Sequence, residues 1–274
     1  MKNIAFILIL VIGFISCKKN NGLEEEKPLY ECTTYNGHKT PQIGDSINYN
    51  IDTTTLNTTI VGGKDISWSF TGLKKQDSVK TYYYDTTGLK YSGLFPSAKY
   101  TSIVNQELVY LGLTTNGLEV QGAVIPVADT EFVALYNKPY NQVDFPLNYL
   151  DYKSENYSCN ETKYNLQILI NGARTSVDSL NLFRSGTITK KVDGCGTLKM
   201  PNKTYEVLRI FKEETVADTV VAHMFVGFGT KEIVMVEKET TFRTYEFVTD
   251  SLSTPLLIVN LNENIEVDHV RFQN

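Results

Sequence analysis

Histidine occurs only three times, as His38, His223 and His269, and no Cys-x-x-Cys pair accompanies them. That scarcity leaves no zinc-ligand spacing, so no metal is expected. No G-x-S-x-G elbow is present, and neither a G-x-G-x-x-G nor a P-loop can be found; "VGFGTKE" has two glycines near a lysine but not the spacing. No hydrolase serine and no nucleotide site therefore declares itself, and no cofactor is expected. Basic residues are outnumbered, 26 against 31 acidic, for a formal charge of −5. Nucleic acid needs a basic face that displaces counterions from phosphates, so it is not an expected partner. Apolar runs stop short of the roughly 20 residues of a membrane helix. Convincing helical apolar periods are missing beyond about three turns.

What is abundant is strand material. Tyrosine (17) and phenylalanine (13) stand among many Thr and Val, residues that suit a pleated surface. From Pro41 onward the text alternates with period two: Ile47, Tyr49 and Ile51, then Ile66, Trp68 and Phe70 after a Gly62-Gly63 turn. Asn116-Gly117 is a hairpin signal, and Pro201-Asn202 marks another turn. Ten or more short strands are expected, with long hairpins in the last hundred residues favouring one continuous curved sheet. The expected fold is all-β, an antiparallel sandwich or a strongly curved open barrel, in a single domain over 40–274. In the run Tyr82–Tyr84 the outer two share a face, and a core role is favoured over a sugar-stacking platform.

The N-terminus has its own logic. Lys2 precedes an apolar run, Ile4 to Ile15, which ends at Ser16-Cys17. The proportions are those of an export signal, and Phe14-Ile15-Ser16-Cys17 resembles the lipobox of bacterial lipoproteins. The resemblance implies cleavage after residue 16, acylation of Cys17, and a flexible tether over 17–39. Several acyl chains anchor stably where one does not. The anchor is the only membrane contact expected, because an anionic domain has no reason to lie on an anionic surface. The Lys18-Lys19 pair and Glu24–Glu26 resemble the charged segments that direct some lipoproteins of Bacteroidota-type bacteria to the cell surface. Location is thus expected at the outer membrane, on its periplasmic face or outside.

Export also places three further cysteines in an oxidising compartment. The expected disulfide joins Cys159 and Cys195, both in strand-like text, leaving Cys32 free near the tether. The stretch "DGCGTLKMPNKTYEVLR", Asp193 to Arg209, is similar to an uncharacterised domain of secreted proteins from the same bacteria. There an Asp-Gly-aromatic-Gly-Thr-Leu strand, a Pro turn and Val-Leu-Arg recur. Cys195 replaces the aromatic. The resemblance implies an all-β fold and a habitat, but no chemistry. In the hairpin it describes, Gly194 and Gly196 bring backbones close, while Arg209 caps carboxylates or reaches solvent. Asp-Ser and Asp-Thr steps at Ser46, Thr53, Ser78, Thr86, Ser179, Thr219 and Ser251 resemble the O-glycosylation site of exported proteins in these bacteria. Glu213-Glu214 is expected to be a solvated strand end.

The expected function is a lipid-anchored envelope protein that binds or scaffolds and does no catalysis. A carrier of an apolar ligand in a curved-sheet cavity and a carbohydrate-binding or carbohydrate-active accessory protein are the alternatives. Expected partners are accordingly a glycan, an apolar ligand or another envelope protein.

Overall fold

A computed structural model describes residues 30–54, 60–127, 129–170 and 172–273. Residues 31–274 form one compact unit. It is all-β: the described residues form fourteen strands in two sheets, neither closed into a barrel. The strands are β1 (Ser46–Asp52), β2 (Gly63–Ser69), β3 (Asp77–Tyr82), β4 (Tyr84–Asp85), β5 (Tyr100–Val104), β6 (Glu107–Thr114) and β7 (Gly117–Val127). They continue with β8 (Thr130–Asp144), β9 (Tyr152–Ile170), β10 (Ala173–Lys199), β11 (Thr204–Val226), β12 (Gly229–Val248), β13 (Leu257–Leu261) and β14 (Val267–Phe272).

The larger sheet runs β2-β10-β11-β12-β13-β14-β1-β3, with β9 also beside β10, and the smaller runs β4 to β8 in order. Pairing is antiparallel throughout except β2 on β10, which is parallel. Few short strands carry the larger sheet's middle: β10 alone has 27 residues, a contour of about 90 Å at 3.3 Å per residue. The text divides there at polar runs such as Glu213-Glu214-Thr215, yet the chain does not. Those residues sit half-buried within β11, each opposite a residue of β12, so period two is kept and the ladder continues.

Two large apolar clusters, with a smaller one around Phe95, Tyr110 and Val124, pack the described residues. One lies between the sheets, where Tyr100, Phe132 and Ala134 meet Leu180, Leu182 and Val220. Tyr83 joins it because it is the corner of the crossing from β3 to β4, from one sheet to the other. Its outer neighbours go the opposite way. Tyr82 and Tyr84 are exposed and stacked on each other with centroids 5.7 Å apart, so the expected core role holds for Tyr83 alone. The second cluster gathers Trp68, Phe70, Leu198, Phe247 and Phe272. Beside it the Asp193–Arg209 hairpin makes its closest approaches. A Cβ on Gly196 would fall inside the shell of the Ile66 carbonyl, and one on Gly194 would come 3.0 Å from the Trp68 ring. Asp193 lies at a register shift and takes two hydrogen bonds from Arg209, at 2.8 and 2.7 Å. Arg209 is buried, so it caps that carboxylate and does not reach solvent.

Two expectations are corrected. The disulfide joins Cys32 to Cys195, with Cα atoms 5.6 Å apart, and among the described residues Cys159 is the free thiol. Cys159 and Cys195 lie on different strands' far stretches: Cys159 is opposite Arg184, eleven positions before Cys195 along β10. The domain also begins before residue 40. Tyr35 is buried and exchanges backbone hydrogen bonds of 3.0 and 2.8 Å with Leu147. The Asn36 N–H donates to Asp250. The stretch from Glu31 to Lys39 therefore belongs to the domain, because a buried ring and a cross-link fasten it.

Candidate functional site

Along β10 the even positions face the smaller sheet: Leu180, Leu182, Arg184, Gly186, Ile188, Lys190 and Val192 are all buried. Two charges in that inward frame demand partners, since an unpaired buried charge is prohibitively costly. Arg184 finds Asp218, directly across on β11, at 2.6 and 2.7 Å, and Glu107 of the smaller sheet, also at 2.7 and 2.6 Å. The Tyr136 hydroxyl accepts the remaining donor at 3.5 Å, so all five guanidinium hydrogens are used. Lys190 donates to the Asn141 carbonyl at 2.6 Å and to Asp144, which Lys153 also reaches at 2.6 Å. Burial works to raise the Asp144 pKa, but the Lys190 charge and the two lysine hydrogen bonds outweigh it and hold the carboxyl below its usual range. Burial likewise lowers the Lys190 pKa.

A third inward group is a tyrosine stack. Tyr157 lies over Gly186, where a Cβ would not fit, with the Tyr136 and Tyr140 rings 4.6 and 4.5 Å away. Tyr157 and Tyr140 both donate to Glu214, at 2.8 and 3.3 Å. Glu214 is thus a buried-side acceptor within β11 and not a solvated strand end. Burial and the Glu214 charge together raise the Tyr157 pKa far above the ordinary phenol value. Side chains, not a void, occupy the space between the sheets here.

The opposite face of the same strands is different in kind. Register places three rows across β9, β10, β11 and β12: Asn156-Thr187-Thr215-Thr241, Ser158-Ser185-Ala217-Glu239 and Asn160-Phe183-Thr219-Glu237. The middle row carries small side chains between longer ones, which is why the surface sinks. Two adjoining recesses of about 570 and 430 Å³ share Asn137, Ser158, Ser185 and Ala217. Both are open, with Leu135, Asn137 and Lys138 of β8 forming the wall. Thr187 donates to Asn156 at 2.8 Å, and the Thr215 and Thr241 hydroxyls are 2.9 Å apart. The Phe183 ring is 43% exposed at the rim. The trough therefore offers hydroxyls, amides, the Glu239 carboxylate, the Lys138 ammonium and one apolar ring face, with Glu237 ending the third row.

The sequence-derived site residues do not converge on it. Cys17 lies outside the described residues. Of the candidate glycosylation positions, Ser46, Thr53, Ser78 and Ser251 are exposed, whereas Thr86, Ser179 and Thr219 are half-buried. Only Thr219 lines the trough. Cys159 also touches it, and burial pushes that thiol up to about 11. Among the described residues no group of three His, Cys, Asp or Glu is arranged to hold a metal. No described helix is long and apolar enough to cross a membrane. The outward frame of β9 to β11 was the signal for the trough: Asn, Ser and Thr recur there, while the inward frame of β10 is mostly apolar.

The fold and trough define an all-β, two-sheet protein with an open polar surface depression. Compared with family models, with curated proteins and with solved structures, the chain matches none.

Proposed function

We propose that the protein is a lipid-anchored envelope protein that binds a glycan and does no chemistry on it. The observation that carries this reading is the trough: hydroxyl and amide side chains in register, small residues along its floor, and one ring face at the rim. Sugar hydroxyls pair with such groups, and a pyranose face stacks on an aromatic ring. Two further features support binding over catalysis. The buried Arg184, Lys190 and Asp144 and the half-buried Asp218 are engaged with one another or with main chain. The carrier alternative needs an apolar hollow, and the tyrosine stack and ion pairs occupy the interior where it would lie.

The test is calorimetry of the mature protein against a panel of bacterial and plant oligosaccharides. Ser185 is exposed, so Ser185→Leu should leave folding intact while filling the floor and abolishing binding. Phe183→Ala should weaken it about fivefold, as loss of a contact worth about 1 kcal/mol would. If no oligosaccharide gives heat, or if Ser185→Leu binds as the parent does, the glycan reading is wrong.

The anchor has its own test. Cells fed labelled palmitate should label the parent chain, and Cys17→Ser should lose both the label and the envelope fraction. A Cys17→Ser chain that stays unlabelled in the envelope would remove the lipoprotein reading and leave the trough untouched.

A further inference from the structure

The β11–β12 hairpin ends in Phe225-Val226-Gly227-Phe228, and every side chain there faces water. Phe225 is 68% exposed, Val226 57% and Phe228 108%. Scattered apolar residues on a surface need no explanation, but a contiguous cluster does. The local backbone does not require it. Val226 pairs with Gly229, so the loop is two residues, and Gly227 takes φ +63°, as the first loop position of a type II′ turn does. The second position, where Phe228 stands, accepts any small polar residue equally well.

The chemistry of the tip selects its occupant. Phe225 and Val226 are neighbours on one strand and so point to opposite faces. The two-residue turn thus carries exposed apolar side chains on both of its faces. A fluid hydrocarbon layer surrounds such a shape without having to be preformed for it. From Met224 to Lys231 there is a single charge, the cation Lys231, in a chain whose overall charge is −5. The neighbouring β9–β10 hairpin closes with Ile170 against Ala173, and one pair further back the 44% exposed Leu169 stands opposite Arg174, which is 3.4 Å from the Asp129 carboxylate. Both tips lie at one end of the sheet, because Ser179 of β10 is level with His223 of β11 and with Tyr164 of β9.

Contrary to the expectation that an acyl anchor is the only membrane contact, we propose that this end of the domain, led by Phe225, Val226 and Phe228, inserts into the surface of a phospholipid bilayer. Lys231 and Arg174 would then sit at headgroup level behind the apolar tips. The contact is separate from the N-terminal attachment. Cys32 is held by Cys195, and Cys195 lies 22 residues from Ala173 along β10, a contour of about 70 Å. The inference does not depend on the glycan reading or on acylation.

Trp68, the one tryptophan, is 1% exposed, so Phe228→Trp in the full chain adds a reporter whose signal is separable. With vesicles of phosphatidylethanolamine and phosphatidylglycerol, its emission should move to shorter wavelength. Lipids brominated on their acyl chains should quench it and leave Trp68 unaffected. Phe225→Ser in the same chain should weaken the lipid dependence of quenching about tenfold. Because the readout is local to residue 228, membrane binding by the N-terminal segment cannot imitate it. Emission and quenching unchanged by vesicles would overturn the proposal and turn attention to a protein socket for the tip.

Discussion

Arg184→Ala is expected to destabilise the domain by about 3 kcal/mol, the lower end of the range for breaking a buried ion pair. The cost comes from what stays behind. Glu107 and Asp218 approach each other only because one guanidinium neutralises both, and without it two carboxylates face each other at the sheet interface. Their side chains are 23% and 24% exposed, so water relieves part of the penalty, which places the expectation at the lower end. Urea denaturation of parent and variant measures the difference. A companion carrying Glu107→Gln, Asp218→Asn and Arg184→Met should recover most of the loss, since no charge is then stranded. If Arg184→Ala costs under about 1 kcal/mol, the cluster is hydrated in solution and its role in holding the two sheets together falls away.

Loss of the Cys32–Cys195 bond should cost a comparable amount, about 2–5 kcal/mol, equivalent to a fall in Tm of roughly 5–20 °C. The bond closes a loop spanning 163 positions, so it removes a large share of the disorder open to the unfolded chain. It also fastens the segment that carries Tyr35 against Leu147. Cys195→Ala and a reducing agent should lower Tm equally, and Cys159→Ser should lower it little. Peptide mapping of the unreduced protein should recover Cys32 linked to Cys195 and an alkylated peptide containing Cys159. A Cys159–Cys195 peptide in its place would refute the connectivity.

That connectivity shows where reading the text runs out. Spacing ranks cysteines by the local structure around them, and Cys159 and Cys195 both sit in strands. Pairing depends on distance in space, and the antiparallel register sets Cys159 against Arg184. Nothing local to Cys32 says that it returns to β10. The tyrosine run is a second instance. Alternation does separate Tyr83 from Tyr82 and Tyr84, but which face is inside depends on the chain changing sheets at Tyr83. The trough was half legible: period two divides β10 into inward Leu180, Leu182, Arg184 and Lys190 and outward Phe183, Ser185 and Thr187. Only the register with β9, β11 and β12 lines up Ser158, Ser185 and Ala217 and so makes a depression of them.

By itself, the amino-acid sequence determined the class of fold. Period-two alternation and abundant aromatic and β-branched residues bury one face only when paired as strands. It also determined the demand for partners at Arg184 and Lys190, whose positions in the frame are apolar. The tertiary structure alone decided which carboxylates answer, which cysteines join, and where an apolar tip is left facing water. Those outcomes depend on strands brought together from distant parts of the chain, and local patterning carries no record of which distant strand a residue will meet.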